Sequence, residues 1–411
     1  MEPFILPRED HCVSRKGIAE EALKVLYRLN TKGYTAYLVG GCVRDLLLGR
    51  EPKDFDIATD ATPRQVAKTF RNCRLIGRRF RLAHVYFPGV IIEVATFRAS
   101  VESSSHQEQD ADGMVVRDNV WGSPKEDALR RDFTVNALFY DIRDFSIIDY
   151  AEALRDLEDR KIRCIGDPVT RYVEDPVRML RAVRFAATLD FHIEEEAWDA
   201  ICSEHERLAL ASNARLFEET LKFFSSGASL RAFELMHESG LLRMLYSTWT
   251  QWLDNEADPI QQEELTITLQ WIDQQIEAGH SLPPALAYAM IFAPYHEAKA
   301  KALVDDGIPY LQAIGTVMEA HQKALHDSVH ITQRYLGQMI SITGNQPSML
   351  NNDPEKAARI KSYEWFPEAF SLFQFRTELT GNNSEMIKFW NDIEAAPRRR
   401  RPRRRGRKPR N

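Results

Sequence analysis

Apolar positions recur along this chain in two rhythms, and the rhythm changes near residue 150. Ile18, Ala22, Val25, Leu26 and Leu29 fall at helical spacing. Tyr34–Val39 is a short β-prone run that ends on Gly40-Gly41, and Arg44–Leu48 predicts a short helix closed by Gly49. Asp54–Ala58 predicts a strand. Thr62-Pro63-Arg64-Gln65 predicts a helix start, with Thr62 as N-cap, Pro63 in the first turn and Gln65 completing a capping box. Leu82–Phe87 and Val90–Thr96 are rich in β-formers, and Pro88-Gly89 between them predicts a hairpin. Residues 101–113 are polar, carry Ser103-Ser104-Ser105 and predict a mobile loop.

Beyond residue 150 the strand signals fade. Pro176–Leu189, Asn213–Phe224 and Leu230–Leu242 predict amphipathic helices, and residues 245–395 predict further helix without a motif. Residues 397–411 are punctuated by Arg, Pro and Gly and predict a disordered tail.

Charge sharpens this division. The chain of 411 residues has a formal net charge of −6, but residues 398–411 hold ten basic residues and no acid. Residues 244–397 carry 9 basic and 20 acidic side chains. An acidic body therefore ends in a cationic tail. At 44% hydrophobic and 28% charged, the composition is that of a soluble globular protein of two to three domains. No apolar stretch approaches the roughly 20 residues of a membrane helix, and the N-terminus lacks a signal-peptide pattern. Cys12, Cys42, Cys73, Cys164 and Cys202 are scattered, without metal-ligand spacing, so a disulfide framework or zinc site is not expected and a reducing cytoplasm is.

The densest chemical signal is Leu38-Val39-Gly40-Gly41-Cys42-Val43-Arg44-Asp45, followed by Asp54-Phe55-Asp56. Two glycines after a strand let backbone approach a ligand, and the following helix start suits phosphate. Arg44 adds a fork of donors. Asp54 and Asp56, at spacing two, predict two carboxylates on one strand face, where a cation must offset their repulsion. Mg²⁺, which takes a few carboxylates plus substrate phosphate oxygens, meets that need. Glu93, on the strand with Ile91 and Ala95, is either a sheet-surface residue or a third carboxylate of the metal site. His84 reads as a structural strand residue. Arg71, Arg74, Arg78, Arg79 and Arg81 place five guanidiniums within eleven residues, a patch that attracts a phosphate backbone or is only a basic surface loop.

The strings LVGGCVRDLLLG and KDFDIATDATP resemble the class II nucleotidyltransferases of the polymerase-β-like superfamily. IIEVATFR, Arg130–Leu138 (RRDFTVNAL) and Glu174–Ala186 (EDPVRMLRAVRFA) follow in the family's order, so the resemblance covers residues 14–240. The family comprises CCA-adding tRNA nucleotidyltransferases and bacterial poly(A) polymerases. The resemblance implies an α+β fold: an N-terminal nucleotidyltransferase head with a small mixed β-sheet, then all-helical neck and body domains and the disordered basic tail. The expected boundaries are 14–155 for the catalytic head, 156–243 for the nucleotide- and RNA-binding neck, 244–396 for an RNA-binding body and 397–411 for the tail.

It also implies roles. Asp54 and Asp56 would bind two catalytic Mg²⁺ ions, with Glu93 beside them in catalysis. Gly40, Gly41 and Arg44 would line the triphosphate site, and Arg130, Arg131 and Asp132 would contact triphosphate and ribose. Asp175 and Arg178, one helical turn apart, would be held planar together and hydrogen-bond the incoming base; on the residues alone they are equally a surface ion pair worth about 0.5 kcal/mol or less. Arg181 and Arg184 continue the basic lining or form a solvated helix face. RNA contacts are expected at Arg78, Arg79, Arg81, Arg181, Arg184, Arg398 and Arg403.

Residues Leu75–Val85 resemble the stretch that separates the polymerases from the CCA-adding enzymes. The expected activity is therefore template-independent addition of AMP from ATP to RNA 3′ ends in polyadenylation, processing and decay, with CCA addition as the alternative. Expected partners are mRNA, small RNA and tRNA-precursor 3′ ends and RNA-decay proteins. Neither membrane insertion nor a stable oligomer is expected.

Overall fold

The computed structural model describes residues 2–77, 82–99, 108–109, 115–117, 121–325 and 329–396. The strands, in chain order, are β1 (Phe4–Leu6), β2 (Ala36–Val39), β3 (Asp56–Thr59), β4 (Cys73–Ile76), β5 (Leu82–Phe87), β6 (Val90–Thr96), β7 (Glu108–Gln109), β8 (Val115–Arg117), β9 (Leu138–Asp141), β10 (Ile147–Asp149), β11 (Lys161–Ile162) and β12 (His192–Ile193). Eight form one sheet in the order β1-β10-β9-β2-β3-β6-β5-β4. Only the β3–β6 pairing in this sheet is parallel, so the sheet is mixed. β1 joins it by pairing with β10, so the sheet recruits residues ahead of the head boundary expected at 14.

Local chemistry explains these elements. β2 is buried along its whole length, which is why its sequence is an unbroken run without alternation. β5 and β6 form the hairpin predicted around Gly89, whose φ of 81° suits glycine. Helix α1 (Glu20–Thr31) buries Ala22, Val25, Leu26 and Leu29 and lies against β2, β3 and β6. Val25, Leu26 and Leu29 each contribute roughly 1.5–3 kcal/mol, before the entropy cost of ordering them. Helices α2 (Gly41–Leu47) and α3 (Pro63–Thr69) follow β2 and β3. At the start of α3, Gln65 Oε1 accepts from the Thr62 N–H at 2.8 Å, as the capping box requires.

Two expectations fail here. β3 starts at Asp56, so Asp54 precedes the strand and strand alternation does not set its direction. Part of the predicted mobile loop is strand: Glu108–Gln109 pairs with Val115–Arg117, while residues 101–107 and 110–113 lie outside the described residues.

The remaining helices of the first part are α4 (Pro124–Leu129), α5 (Ala153–Glu158), α6 (Pro168–Glu174), α7 (Val177–Leu189) and α8 (Glu195–Glu204). β11 and β12 pair in parallel between them, two short strands that the fading β signal did not predict. Then come α9 (Asn213–Phe223), α10 (Ser229–Glu238) and α11 (Leu241–Leu245). The single helix expected over Leu230–Leu242 is broken at Gly240, with φ 82°, because a left-handed residue ends the α-ladder.

The chain forms two compact units. One comprises residues up to Arg215 together with Arg231–Met244; the other comprises Leu216–Leu230 and the chain from Leu245 onward. The second unit is helical among its described residues: α12 (Ser247–Asn255), α13 (Pro259–Glu277), α14 (Pro284–Asp305), α15 (Tyr310–Ala324), α16 (Gln333–Gly344), α17 (Pro354–Lys361), α18 (Phe366–Thr380) and α19 (Ser384–Asp392). Tyr246, Trp249, Tyr288 and Phe292 are buried together in one aromatic core. Phe366, Phe373 and Trp390 are buried in a second apolar cluster. No helix of the described residues is long and apolar enough to cross a membrane.

Candidate active site

The site is built where β2 ends in a glycine turn, β3 begins and Glu93 of β6 comes alongside. Gly40 has φ 74° and ψ −132°, and a Cβ there would come within 2.9 Å of Arg131 Nη1. The left-handed φ therefore demands glycine at this position. Gly41 opens α2 directly after it.

Arg44 is buried in α2, and its donors are engaged. Nη1 donates to Asn136 Oδ1 at 2.6 Å, while Nε and Nη2 donate to Asp45 Oδ1 at 2.9 and 2.7 Å. Arg44 thus braces the turn with three of its five N–H donors. It ties the glycine turn to Asn136, and its guanidinium lies 5.2 Å from the Phe185 ring centroid.

Asp56 pairs in register with Val39, the residue before the turn, and with Glu93 on β6. The carboxylates of Asp56 and Glu93 are thereby cross-strand neighbours. Desolvation, then the charge of Glu93, pushes Asp56 up to about 6; Arg131 opposes the shift and Asp54 adds to it. His84 on β5 faces Glu93 from the other side, with Nε2 3.3 Å from Oε1, and stays a strand residue. Among the described residues no group of three or more His, Cys, Asp or Glu could hold a metal ion, so Glu93 does not complete a three-carboxylate site with Asp54 and Asp56. The raised Asp56 fits an ion that completes its shell with substrate oxygens. Cys42, behind the turn, is pushed up to about 12 by burial, which keeps it a neutral thiol.

Arg131 and Asp132 hold the opposite wall. Arg131 donates to Asp127 Oδ2 at 3.0 Å and to the Asn136 carbonyl at 3.2 Å. Asp132 accepts from Arg181 Nε at 2.6 Å, from the Phe133 N–H at 2.9 Å and from Asn136 Nδ2 at 3.2 Å. Burial alone would raise Asp132; the Arg181 charge and these donors outweigh it and hold the carboxyl well below the usual range. Arg130 caps α4, and its carbonyl and that of Arg131 both accept from Arg171 Nη2 at 2.6 Å.

The neck corrects the sequence at three points. Asp175 does not pair with Arg178. It lies in extended backbone between α6 and α7 and receives Arg215 bidentately at 2.8 and 2.7 Å. Arg178 instead donates to Glu174 Oε2 and the Arg171 carbonyl, both at 2.8 Å. Helical spacing brings i and i+3 together only when both residues are helical, and Asp175 is not. Arg181 is only part of a solvated face: half-buried, it is tied to Asp132. Arg184 sits 4.3 Å from the Phe185 centroid, so Arg44, Arg181 and Arg184 surround one ring. Arg78, Arg79, Arg81, Arg398 and Arg403 lie outside the described residues.

Sequence reasoning passed over Asn136, Arg171, Phe185 and Arg215. Asn136 was findable, as the lone amide in the apolar run Phe133–Tyr140. Arg215 is 40 residues from its partner Asp175, and no periodicity marks that distance.

Residues 36–163 match the family model of the poly A polymerase head domain. Residues 190–253 match the probable RNA and SrmB-binding site of polymerase A, and residues 306–410 match the arginine-rich C-terminus of polymerase A. The chain is 42% identical to poly(A) polymerase I of Salmonella typhimurium, over 99% of this chain and 92% of that protein. It is 40% identical to the CCA-adding enzyme of Lactobacillus johnsonii, but over only 54% of each chain. The solved structure of the Bacillus stearothermophilus CCA-adding enzyme in complex with CTP superposes with a TM-score of 0.63 at 25% identity, covering 92% of this chain and 83% of that one. The chain is an enzyme of the nucleotidyltransferase kind and belongs to the poly(A) polymerase family.

Proposed function

We propose that this protein is a template-independent poly(A) polymerase, transferring AMP from ATP to RNA 3′ ends with release of pyrophosphate. The observation that carries the reading is the extent of similarity. The match to the polymerase spans 99% of the chain and therefore the helical second unit, whereas the match to the CCA-adding enzyme covers 54% of it.

In the reaction, the RNA 3′-hydroxyl oxygen attacks the α-phosphorus of ATP. The bond from that phosphorus to the bridging oxygen breaks, pyrophosphate leaves, and the hydroxyl proton passes to solvent. Two Mg²⁺ ions, held by Asp54 and Asp56 with Glu93 beside them, would supply activation of the hydroxyl and neutralisation of the phosphate charge. The chain's own groups do the positioning. Gly40 and Gly41 let backbone N–H groups approach the triphosphate. Arg44 fixes that turn through Asn136. Arg130, Arg131 and Asp132 line the triphosphate and ribose side, and Arg181 keeps Asp132 ionised. Asp175, oriented by Arg215, and Arg178, oriented by Glu174, present polar edges to the base. No protein nucleophile is required.

RNA would reach the site along Arg78, Arg79 and Arg81, with Arg184 beyond, and the tail arginines Arg398 and Arg403 would add affinity. All five cysteines are unpaired, which accords with a reducing cytoplasm and a role in RNA processing and decay there.

The test is incubation with Mg²⁺, single nucleotides, a labelled oligoadenylate and a tRNA ending in CC. Long A tracts on the oligoadenylate are expected. One A on the tRNA, with CTP incorporated on a shortened tRNA, would identify the CCA-adding alternative that the half-chain match favours. Asp54→Ala or Asp56→Ala should abolish incorporation while leaving the circular dichroism unchanged.

A further inference from the structure

The second unit contains a cavity of about 840 Å³, lined by α13, α14, α18 and the turns around Gln346 and Asn382. Its charged groups are three carboxylates and one guanidinium. Glu263, Glu264 and Glu297 line it, and the one cation on its wall, Arg376, is committed to Glu297 through two bonds of 2.7 and 2.9 Å. Tyr310 also donates to Glu297, at 2.7 Å. Among the described residues Glu263 and Glu264 make no salt bridge; burial pushes Glu264 up, with the Arg376 charge opposing and Glu297 adding. Gln346 is buried against the same cavity. Its Nε2 donates to the Ile342 and Ala369 carbonyls at 2.8 and 3.0 Å, and its Oε1 has no donor among the described residues. Ile260 and Leu350, 75% and 53% exposed, add apolar surface at the rim.

Such a lining asks for a ligand rich in N–H donors, positively charged and carrying aliphatic stems. Arginine side chains meet all three requirements. We propose that the cavity is the docking site of this chain's own arginine-rich segment, residues 397–411, and that the segment alternates between the cavity and RNA. Its ten basic residues face a body with 9 basic and 20 acidic side chains over residues 244–397. Its reach suffices. Asn383 lines the cavity and caps α19, and Ala396 is anchored by its N–H to the Ala358 carbonyl at 2.9 Å. Nine helical residues and four more put the root of the segment within about 27 Å of the rim. The segment itself spans up to about 50 Å when extended. Pro402 and Pro409 lack N–H groups and suit contact with the apolar rim.

The RNA-binding arm of the test rests on the polymerase reading, and the cross-linking arm does not. In the full chain at low salt, a zero-length carbodiimide should join Lys408 to Glu263 or Glu264 within one molecule, and saturating single-stranded RNA should suppress the product. Cross-links between molecules only, or to carboxylates away from the cavity only, would overturn the proposal. In the second arm, Glu263→Gln combined with Glu264→Gln should tighten RNA binding of the full chain about threefold or more at roughly 0.05 M salt. The same pair in a chain ending at Ala396 should leave RNA affinity unchanged, and unchanged melting temperatures would exclude a folding defect. Equal RNA affinity in the full-length wild type and variant overturns alternation with RNA. Loss of RNA binding by every form, with the Lys408 cross-link intact, would fault the RNA reading and leave the docking site standing.

Discussion

Asp56 and Glu93 occupy partnered positions across the parallel β3–β6 ladder, two carboxylates set side by side at the mouth of the site. Asp56 ordinarily titrates at 3.8, and the fold holds it at about 6. Between those values the folded state binds more protons than the unfolded one, so this group's contribution to stability falls as pH rises through the window and stays lost above it. Asp56→Asn should therefore raise the melting temperature at pH 7.5 without divalent cations, modestly because Asp56 is partly solvent-screened. The gain should vanish near pH 4. A variant that melts lower than wild type at pH 7.5 would contradict the repulsion.

Asn136 joins Arg44, Arg131 and Asp132 through one short side chain and its carbonyl. Asn136→Ala removes the acceptor from a buried guanidinium, at about 1–3 kcal/mol. Urea unfolding should show that loss. kcat/KM for ATP should also fall about tenfold or more, because the glycine turn loses its brace.

Arg215 grips Asp175 with two parallel bonds. Arg215→Ala should raise KM for ATP and reduce its preference over CTP, with a smaller effect on kcat. Arg215→Lys should not restore selectivity, since an ammonium cannot reproduce the planar fork. Full rescue by lysine would show that charge alone matters there.

Within the second unit, His296 Nε2 and His321 Nδ1 lie 2.9 Å apart, both rings buried. Desolvation pushes His321 down to about 4, and burial with the neighbouring ring pushes His296 well below its ordinary 6.5. As pH falls below 6.5 the unfolded chain takes up protons that the folded one refuses. Stability is therefore present above that pH and declines toward pH 4, by up to about 1.4 kcal/mol per pH unit for each imidazole. Chemical unfolding of this unit at pH 7 and pH 5 measures it, and His321→Gln should flatten the dependence.

Removal of residues 397–411 should weaken RNA binding and flatten its dependence on salt, since counterion release scales with the cations engaged. Single-nucleotide addition at saturating RNA should persist. Loss of catalysis under that condition would make the segment part of the active site.

The chain by itself determined its local elements and its chemistry. The α1 stripe, the β5–β6 hairpin, the Thr62–Gln65 cap and the glycine at position 40 follow from spacing, turn stereochemistry and propensity, all of which act over a few residues. The two aspartates near the turn were legible for the same reason. Tertiary structure decided what each charge faces. Only the β3–β6 register placed Glu93 beside Asp56, and only the packing of α7 brought Arg181 to Asp132 and Phe185 beneath three guanidiniums. The partner of Asp175 proved to be Arg215, 40 residues away, and not its helical neighbour. Helical period and strand alternation encode which side of an element a residue occupies. They carry no information about which distant element will cover that side, and the identities of the ion pairs depend on that covering.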